Sequence, residues 1–488
     1  MSNFKYYIIS LLAFTLFTTS CHKDKDIDNP PVEINEEALN VNTFILENMN
    51  DYYLWTDNIP DDLDPKSTEN SIEFFEQTRY RGDTGEYDAE TGIYKNGDPW
   101  SFITDDLQGL IDYFNGVRKS TGYYLYAYSL NDGTDNFALV VAYVYANSPA
   151  SEAGLKRGSV IMKIDGEYVN QYNANELLSR ESYDITLGSF DFINEKFDLL
   201  DETKTITSVE LNTNPIIKSE VYDINGTKVA YLLYNSFIHN YDNELIAEFE
   251  KYKSEGVTEL VLDFRYNGGG SVASAINIAS MIAPQNAIGS VFLKKMYNEG
   301  LQNFLINSPD YGQEFLEDNL SSSAYGYEDD GIVGSAMPNL DLNRVYVIGQ
   351  EGTASASELV INGLIPYMNV ITVGDRTHGK YVASITIENE KYTNWAIQPI
   401  VFKSANANDE TDYWDGFEAQ LAVEDHPIYG DFGVNILSGY VEPMLYTALS
   451  DIEGTLAKKQ LFSPVSNTVV KMPVEKANLS QTMVYDIK

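Results

Sequence analysis

Cysteine is almost missing from this chain: Cys21 is the only one in 488 residues, so no intrachain disulfide can form and stability has to come from packed cores. Histidine is nearly as scarce, at four residues: His22, His239, His378 and His426. No His-Glu-x-x-His run or cysteine pair is present, so the ligand spacing of a metal site is lacking, and neither metal nor cofactor is expected. A Ser-His-Asp arrangement has few histidines to draw on. His22 falls in a charged stretch near the start, and His239 and His426 fall in polar segments that read as surface loops, leaving only His378, just before Lys380. Basic residues are also few. Against 73 Asp and Glu there are 32 Lys and Arg, and the net charge of −41 repels phosphate backbones, which excludes nucleic acid as a partner. Beyond Ser20, no apolar run is long enough to cross a bilayer.

The apolar fraction, 43%, is ample for cores, and 488 residues call for two or three of them. Lys5 precedes an apolar run from Tyr6 to Phe17, short for a membrane span and the right length for the centre of an export signal. Thr18, Thr19 and Ser20 then lead to Cys21, and this segment resembles the lipobox of bacterial lipoproteins, although Thr18 stands where that motif prefers leucine. The resemblance implies a signal peptide at 1–20, lipidation of Cys21, a polar tether at 21–38 with Pro30 and Pro31, and a lipid-anchored protein of the bacterial cell envelope.

From Leu39 to Trp55 the residues Val41, Phe44, Ile45, Met49, Tyr52 and Tyr53 recur at helical spacing, which predicts an amphipathic helix opening an N-terminal cap domain, 39–116. Glycine and acidic residues from Arg81 to Pro99 predict a loop. Between 117 and 215 the pattern turns to short strands, with Ser148-Pro-Ala-Ser-Glu-Ala-Gly154-Leu-Lys-Arg-Gly158 followed by Val160 to Ile164, the turn Asp165-Gly166 and Glu167 to Val169. This segment resembles the core of bacterial PDZ domains, in which Gly154 would cap a short helix in a left-handed conformation and Gly158 would turn tightly into the next strand. The resemblance implies peptide binding by strand addition, with Gly122, Tyr123, Tyr124 and Leu125 at the place where a peptide carboxylate is held. From 216 to 455 strands and helices alternate, as in α/β layering, with a Tyr-, Asp- and Ser-rich insertion at about 285–340 and an extension at 456–488.

Three segments of that last region carry chemistry. In Glu351-Gly-Thr-Ala-Ser355-Ala-Ser-Glu358, Ser355 stands between a strand and a helix, where free amides favour a developing negative charge. Gly374-Asp-Arg-Thr-His-Gly-Lys380 follows the next strand. The interval from Ser355 to Lys380 suffices for a helix, a strand and a turn that return the lysine to the serine. A buried lysine becomes a general base at neutral pH once burial lowers its pKa by up to about 3–5 units. Asp263-Phe-Arg265-Tyr-Asn267-Gly268-Gly269-Gly270 ends a strand in glycines, so that an amide of Gly268 or Gly269 can join that of Ala356 in an oxyanion hole.

Together and in this order the three segments resemble the C-terminal processing peptidases, the tail-specific S41 family with a PDZ domain, over about Asp105 to Gly454. The resemblance implies a multidomain α+β protein with a helical cap, a PDZ-like β-rich module and an α/β catalytic domain of the ClpP/crotonase-like type. It makes Ser355, rather than Ser357, the nucleophile of an endopeptidase acting through an acyl-enzyme, Lys380 its base, and Glu358, Asp263, Arg265 and Asn267 supporting residues. Polypeptides, recruited by their C-terminal ends, would be the substrates. Where that family places glutamine at the fourth position after the lysine, this chain has Ser384, and either its hydroxyl or Gln398 is the substitute. The rival reading is a binding lipoprotein on the same fold without turnover. A glycosidase or esterase is disfavoured, since no paired carboxylates or Gly-x-Ser-x-Gly elbow surround Ser355.

Overall fold

The computed structural model describes residues 35–85, 87–88, 92–326, 332–432 and 442–455, and the backbone of 469–470. The expected signal peptide, Cys21 and nearly all of the tether lie outside the described residues, as does most of 456–488. No described helix is long and apolar enough to cross a membrane.

The cap domain opens with the helix Glu36–Tyr52, slightly ahead of the expected start because the Asn35 side chain accepts from the amides of Glu37 and Ala38. Its stripe of Val41, Ile45 and Met49 is fully buried with Phe74, Phe75 and Trp100, and the same cluster contains Tyr381, Val382, Ile397 and Ile400. The cap is therefore packed on the chain that follows Lys380. The expected loop at 81–99 is more ordered than its composition implies: Tyr87–Asp88 pairs with Ile93–Tyr94, and Asp98 is buried.

The PDZ-like module is a seven-stranded sheet ordered Lys196–Thr207, Ser182–Asp191, Val160–Ile164, Glu167–Asn170, Asn136–Val144, Tyr123–Ser129 and Val469–Val470. Gly154 and Gly158 adopt φ of +77° and +84°, the left-handed geometry their places in the motif require. The strand Tyr123–Ser129 would be an edge, but Val469–Val470 adds to it antiparallel, opposite Tyr128 and Ala127.

The third region is built on a six-stranded sheet ordered Ile216–Ile224, Thr227–Tyr234, Glu259–Asp263, Arg344–Gly349, Asn369–Gly374 and Leu421–Ala422. All neighbours after the first pair run parallel. Leu260 and Leu262 face the helices Asp242–Glu255, Val272–Ile282 and Ala356–Leu364, while Val261 faces the helix Pro443–Ile452 and Ala142 and Tyr143 of the PDZ-like module. Both faces are covered, which is why these strands read as continuous apolar runs. The segment 285–340 is not a peripheral insertion. Its strand Val291–Tyr297 pairs with Glu317–Asn319 and Ile400–Ala405 in a second sheet that ends on Val382–Ser384. Phe292 packs so closely on Gly363 that a Cβ there would come within 2.3 Å of its ring. Tyr and Asp density concealed this, because the apolar residues that pack are interleaved with turns.

Candidate active site

The strand Arg344–Gly349 ends in a tight turn that delivers Ser355 to the first position before the helix Ala356–Leu364. Ser355 has φ +62° and ψ −115°, a region costing a non-glycine residue about 1–3 kcal/mol. Several bonds hold it there. Ala354 N and Ser357 Oγ donate to the Asn267 carbonyl at 3.1 and 3.0 Å, and Thr353 Oγ1 donates to the Phe264 carbonyl at 2.8 Å. Ser355 Oγ is buried and has no hydrogen-bond partner, uncommon for a hydroxyl outside a functional site.

Glu358, one turn into that helix and fully buried, ties the serine segment to the lysine segment. Its Oε2 accepts from Ser355 N at 3.0 Å and Lys380 N at 2.8 Å, and its Oε1 from Thr377 Oγ1 at 2.6 Å and Gly379 N at 2.7 Å. Burial raises its pKa to about 7 against the pull of those donors. Burial also lowers Lys380 to about 7, opposed by the carboxylates of Asp98 and Glu358. An amine with that pKa is neutral for half its population at pH 7, as proton transfer requires. The two side chains do not share a hydrogen bond in this state, since Ser355 Oγ has no partner. Ser355 and Lys380 are 0% and 1% exposed, and a polymer reaches them only after neighbouring groups move.

The glycine segment lies against the serine. A Cβ on Gly269, where φ is +110°, would stand 2.7 Å from Ser355 Cβ and 3.1 Å from both Ser355 Oγ and Ala356 N. Ala356 N is the first amide of its helix and has no acceptor within it. The Gly269 amide, in contrast, donates to Asn267 Oδ1 at 2.9 Å, and Asn267 Nδ2 donates to the Tyr234 carbonyl at 2.9 Å. Of the two expected donors, Gly268 and Gly269, the second is thus already engaged by Asn267.

Asp263 and Arg265 serve a different place. Arg265 binds Asp263, Asp425 and Glu442 at 2.5–3.0 Å, and Tyr231 OH also donates to Asp263. Arg157, from the Ala-Gly-Leu-Lys-Arg-Gly run of the PDZ-like module, enters the same buried group through Asp425 at 2.5 Å and Tyr266 OH at 2.6 Å. Burial would raise Asp425, but Arg157 and Arg265 hold it below the usual carboxylate range. This network joins the PDZ-like module to the glycine segment. Tyr124, partly exposed, stacks on Tyr143 at 5.5 Å and lies 5.6 Å from Tyr266. Tyr126 OH accepts from Gln350 Nε2 at 2.7 Å, so the strand that begins with Tyr123, Tyr124 and Leu125, after Gly122, touches the serine turn.

Ser384 and Gln398 are not alternatives but partners: Gln398 Nε2 donates to Ser384 Oγ at 3.1 Å, and Thr386 Oγ1 donates to Gln398 Oε1 at 2.7 Å. Of the histidines, His239 binds Asp242, and His426, expected at the surface, is buried and binds Glu424. Burial and the nearby Lys380 lower His378. Sequence reasoning missed Arg157, Asp425 and Glu442, and also Asp98 and Trp100, which lie beside Lys380 although more than half the chain separates them from it. Only Arg157 stood within a recognised motif.

Three family models match: peptidase family S41 over residues 228–410, the peptidase S41 N-terminal domain over 40–102 and a PDZ domain over 140–179. Carboxyl-terminal-processing proteases of Picosynechococcus sp. and Synechocystis sp. are 28% and 24% identical over 237 and 236 residues, 48% of this chain and 48% of each relative. The chain thus spans about half the length of the curated relatives it matches. A crystal structure from Bacteroides fragilis, assigned to the S41 proteases, superposes with a TM-score of 0.65 at 25% identity, covering 84% of this chain and 97% of that one. With the S41 N-terminal domain, a PDZ domain and the Ser355 and Lys380 segments in one chain, the protein is a member of peptidase family S41.

Proposed function

We propose that the protein is an exported serine endopeptidase of the carboxyl-terminal-processing type, working through Ser355 and Lys380. The observation that carries this reading is the Glu358 carboxylate, whose single oxygen Oε2 binds the amides of both residues while the lysine amine is depressed to about 7.

Neutral Lys380 takes the Ser355 proton as Oγ attacks a peptide carbonyl, and the amides of Ala356 and Gly268 receive the oxyanion. The ammonium so formed gives its proton to the departing amine, leaving an acyl-serine. Lys380 then deprotonates water, which attacks the acyl group, and the proton returns to Ser355 Oγ as the ester bond breaks. Ser355 Oγ has no hydrogen-bond partner in the resting site, and its bond to Lys380 Nζ forms as substrate enters, a tightening common in such sites.

Recruitment of polypeptides through their C-terminal ends falls to the PDZ-like module. Support comes from the Tyr123–Ser129 strand, whose outer edge already accepts an extended antiparallel segment, Val469–Val470, running toward Gly122. The direction is that of a peptide whose carboxylate would meet the Gly122 turn. Residues 1–21 carry the rest of the reading: export, lipidation of Cys21 and a bacterial envelope location, anchored by lipid alone.

Incubating an unfolded protein with the chain and with Ser355→Ala and Lys380→Ala tests the dyad. Fragments from the parent that vanish in both variants are expected. Equal cleavage by all three, or none by the folded parent across pH 6–9, would leave the binding lipoprotein as the function.

A further inference from the structure

The N-terminal domain does more than cover a core. Its segment 98–101 runs beside the lysine: Trp100 places its ring centroid 5.8 Å from Lys380 Nζ, within cation–π range. Asp98, fully buried, is fixed by donors only, with Tyr53 OH at 2.7 Å on Oδ2 and the amides of Trp100 and Ser101 at 2.9 Å on Oδ1. That donor set is the one a carboxylate anion uses. Arg79 Nη2 secures the same turn through the Asp98 carbonyl at 2.6 Å.

The turn is also locked to the chain around the base. Ile400 N donates to Ser101 Oγ at 2.8 Å, Leu54 N donates to the Ile400 carbonyl, and the strand Phe102–Thr104 pairs with Ala396–Gln398. Trp100 and Tyr381 share the cap's apolar cluster. A buried anion next to a lysine that must become cationic during turnover has an electrostatic consequence even without a direct bond.

We propose that the Asp98 carboxylate and Trp100 ring, supplied by the N-terminal domain, form the cradle that holds the Lys380 ammonium while it carries the Ser355 proton. Asp98 is thus a positioning residue, acting through the lysine. Its effect on turnover rests on Lys380 being the base; its effect on the amine does not. Among the described residues, the other charged or titratable groups around the site are Glu358, from the helix after Ser355, Tyr413, which feels the Glu358 charge, and His378, just ahead of the lysine, with Glu351 acting on His378; Tyr53 and Arg79 face Asp98 rather than the amine. The opposing pulls are then distinct: burial drives the amine toward neutrality, and Asp98, ahead of Glu358, limits how far.

The direct test titrates Lys380 in full-length Ser355→Ala protein labelled with ¹³Cε-lysine, its resonance identified by loss in Lys380→Met. Asp98→Asn is expected to lower the midpoint by about one pH unit, a tenfold change in the protonation constant. Tyr53→Phe, which removes a bond to the turn and keeps the anion, should leave the midpoint in place. Trp100→Leu, which keeps the anion and removes the ring, should lower it by less. In the Ser355 chain, the acid limb of kcat/KM should move with the midpoint in each variant. An unchanged midpoint in Asp98→Asn, or the same displacement in Tyr53→Phe, overturns the proposal. Should Asp98→Asn not fold, an unmoved midpoint in Trp100→Leu overturns it as well. Absence of cleavage by every chain would refute the peptidase reading while leaving the titration decisive for the cradle.

Discussion

Gly269→Ala isolates the contact between the glycine segment and Ser355. The added Cβ meets two obstacles. Its φ of +110° is a backbone region that alanine adopts at a cost of about 1–3 kcal/mol. Its Cβ also falls 2.7 Å from Ser355 Cβ, against about 3.5–4.0 Å for carbon atoms at rest, so the two segments must separate by about 1 Å. A displacement of that size at reacting atoms lowers rates by about 100-fold. Gly289→Ala supplies the control: its φ is +92°, and nothing lies within 4 Å of the new Cβ, so it carries backbone strain without the clash. Cleavage of a quenched fluorescent peptide and thermal unfolding would be measured on both. Gly269→Ala should lose about 100-fold in kcat/KM, whereas Gly289→Ala should lose thermal stability and keep its activity. Equal activity in the two variants would refute the claim that this segment forms the wall of the nucleophile.

Four further outcomes are expected. Glu358→Gln replaces one acceptor oxygen with a donor that faces buried donors, losing two charge-assisted bonds at about 1.5–3 kcal/mol each, so chemical denaturation should show a loss of about 3–6 kcal/mol. The pH dependence of stability has two signs. Lys380, depressed from 10.5 to about 7, gives stability present above 10.5 and lost as pH falls to 7; Glu358, raised from 4.5 to about 7, gives stability present below 4.5 and lost as pH rises to 7. Urea midpoints of the parent minus those of Lys380→Met should therefore fall as pH drops from 10 to 7, and those minus Glu358→Gln should fall as pH rises from 4.5 to 7. Arg157→Met leaves the buried Asp425 with only Arg265 as cation, and a thermal or denaturant measurement should report a loss of about 3–5 kcal/mol. A chain ending at Thr455 lacks Val469–Val470 and exposes the edge at Ala127 and Tyr128, so fluorescence anisotropy should show tighter binding of a peptide with a free C-terminus; unchanged affinity would mean that the two do not share that edge.

The order of domains, the α/β layering and the three segments around Ser355, Lys380 and Asn267 were legible in the sequence, because each depends on local chemistry. Apolar periodicity marks strands and helices whatever they pack against, and Gly154, Gly158 and Gly269 occupy positions whose φ only glycine adopts readily. The interval between Ser355 and Lys380 fixed that a helix and a strand separate them. It did not fix that Glu358 binds both backbones with one oxygen, that Gly269 spends its amide on Asn267, or that Ser384 and Gln398 bind each other. Nor did it reveal that 285–340 builds a sheet, since its packing residues are spaced by turns rather than by one period.

What the sequence determined by itself is which groups are present and which short stretches present them: a serine before a helix, a lysine after a strand, glycines at a strand end. Only the tertiary structure decided the proton affinities of those groups and their company, Asp98 and Trp100 for the lysine, Arg157 and Asp425 for the glycine segment. The reason is that burial and charge act through space, and residues far apart in the chain enter one low-dielectric site only when the sheets and domains have closed around it.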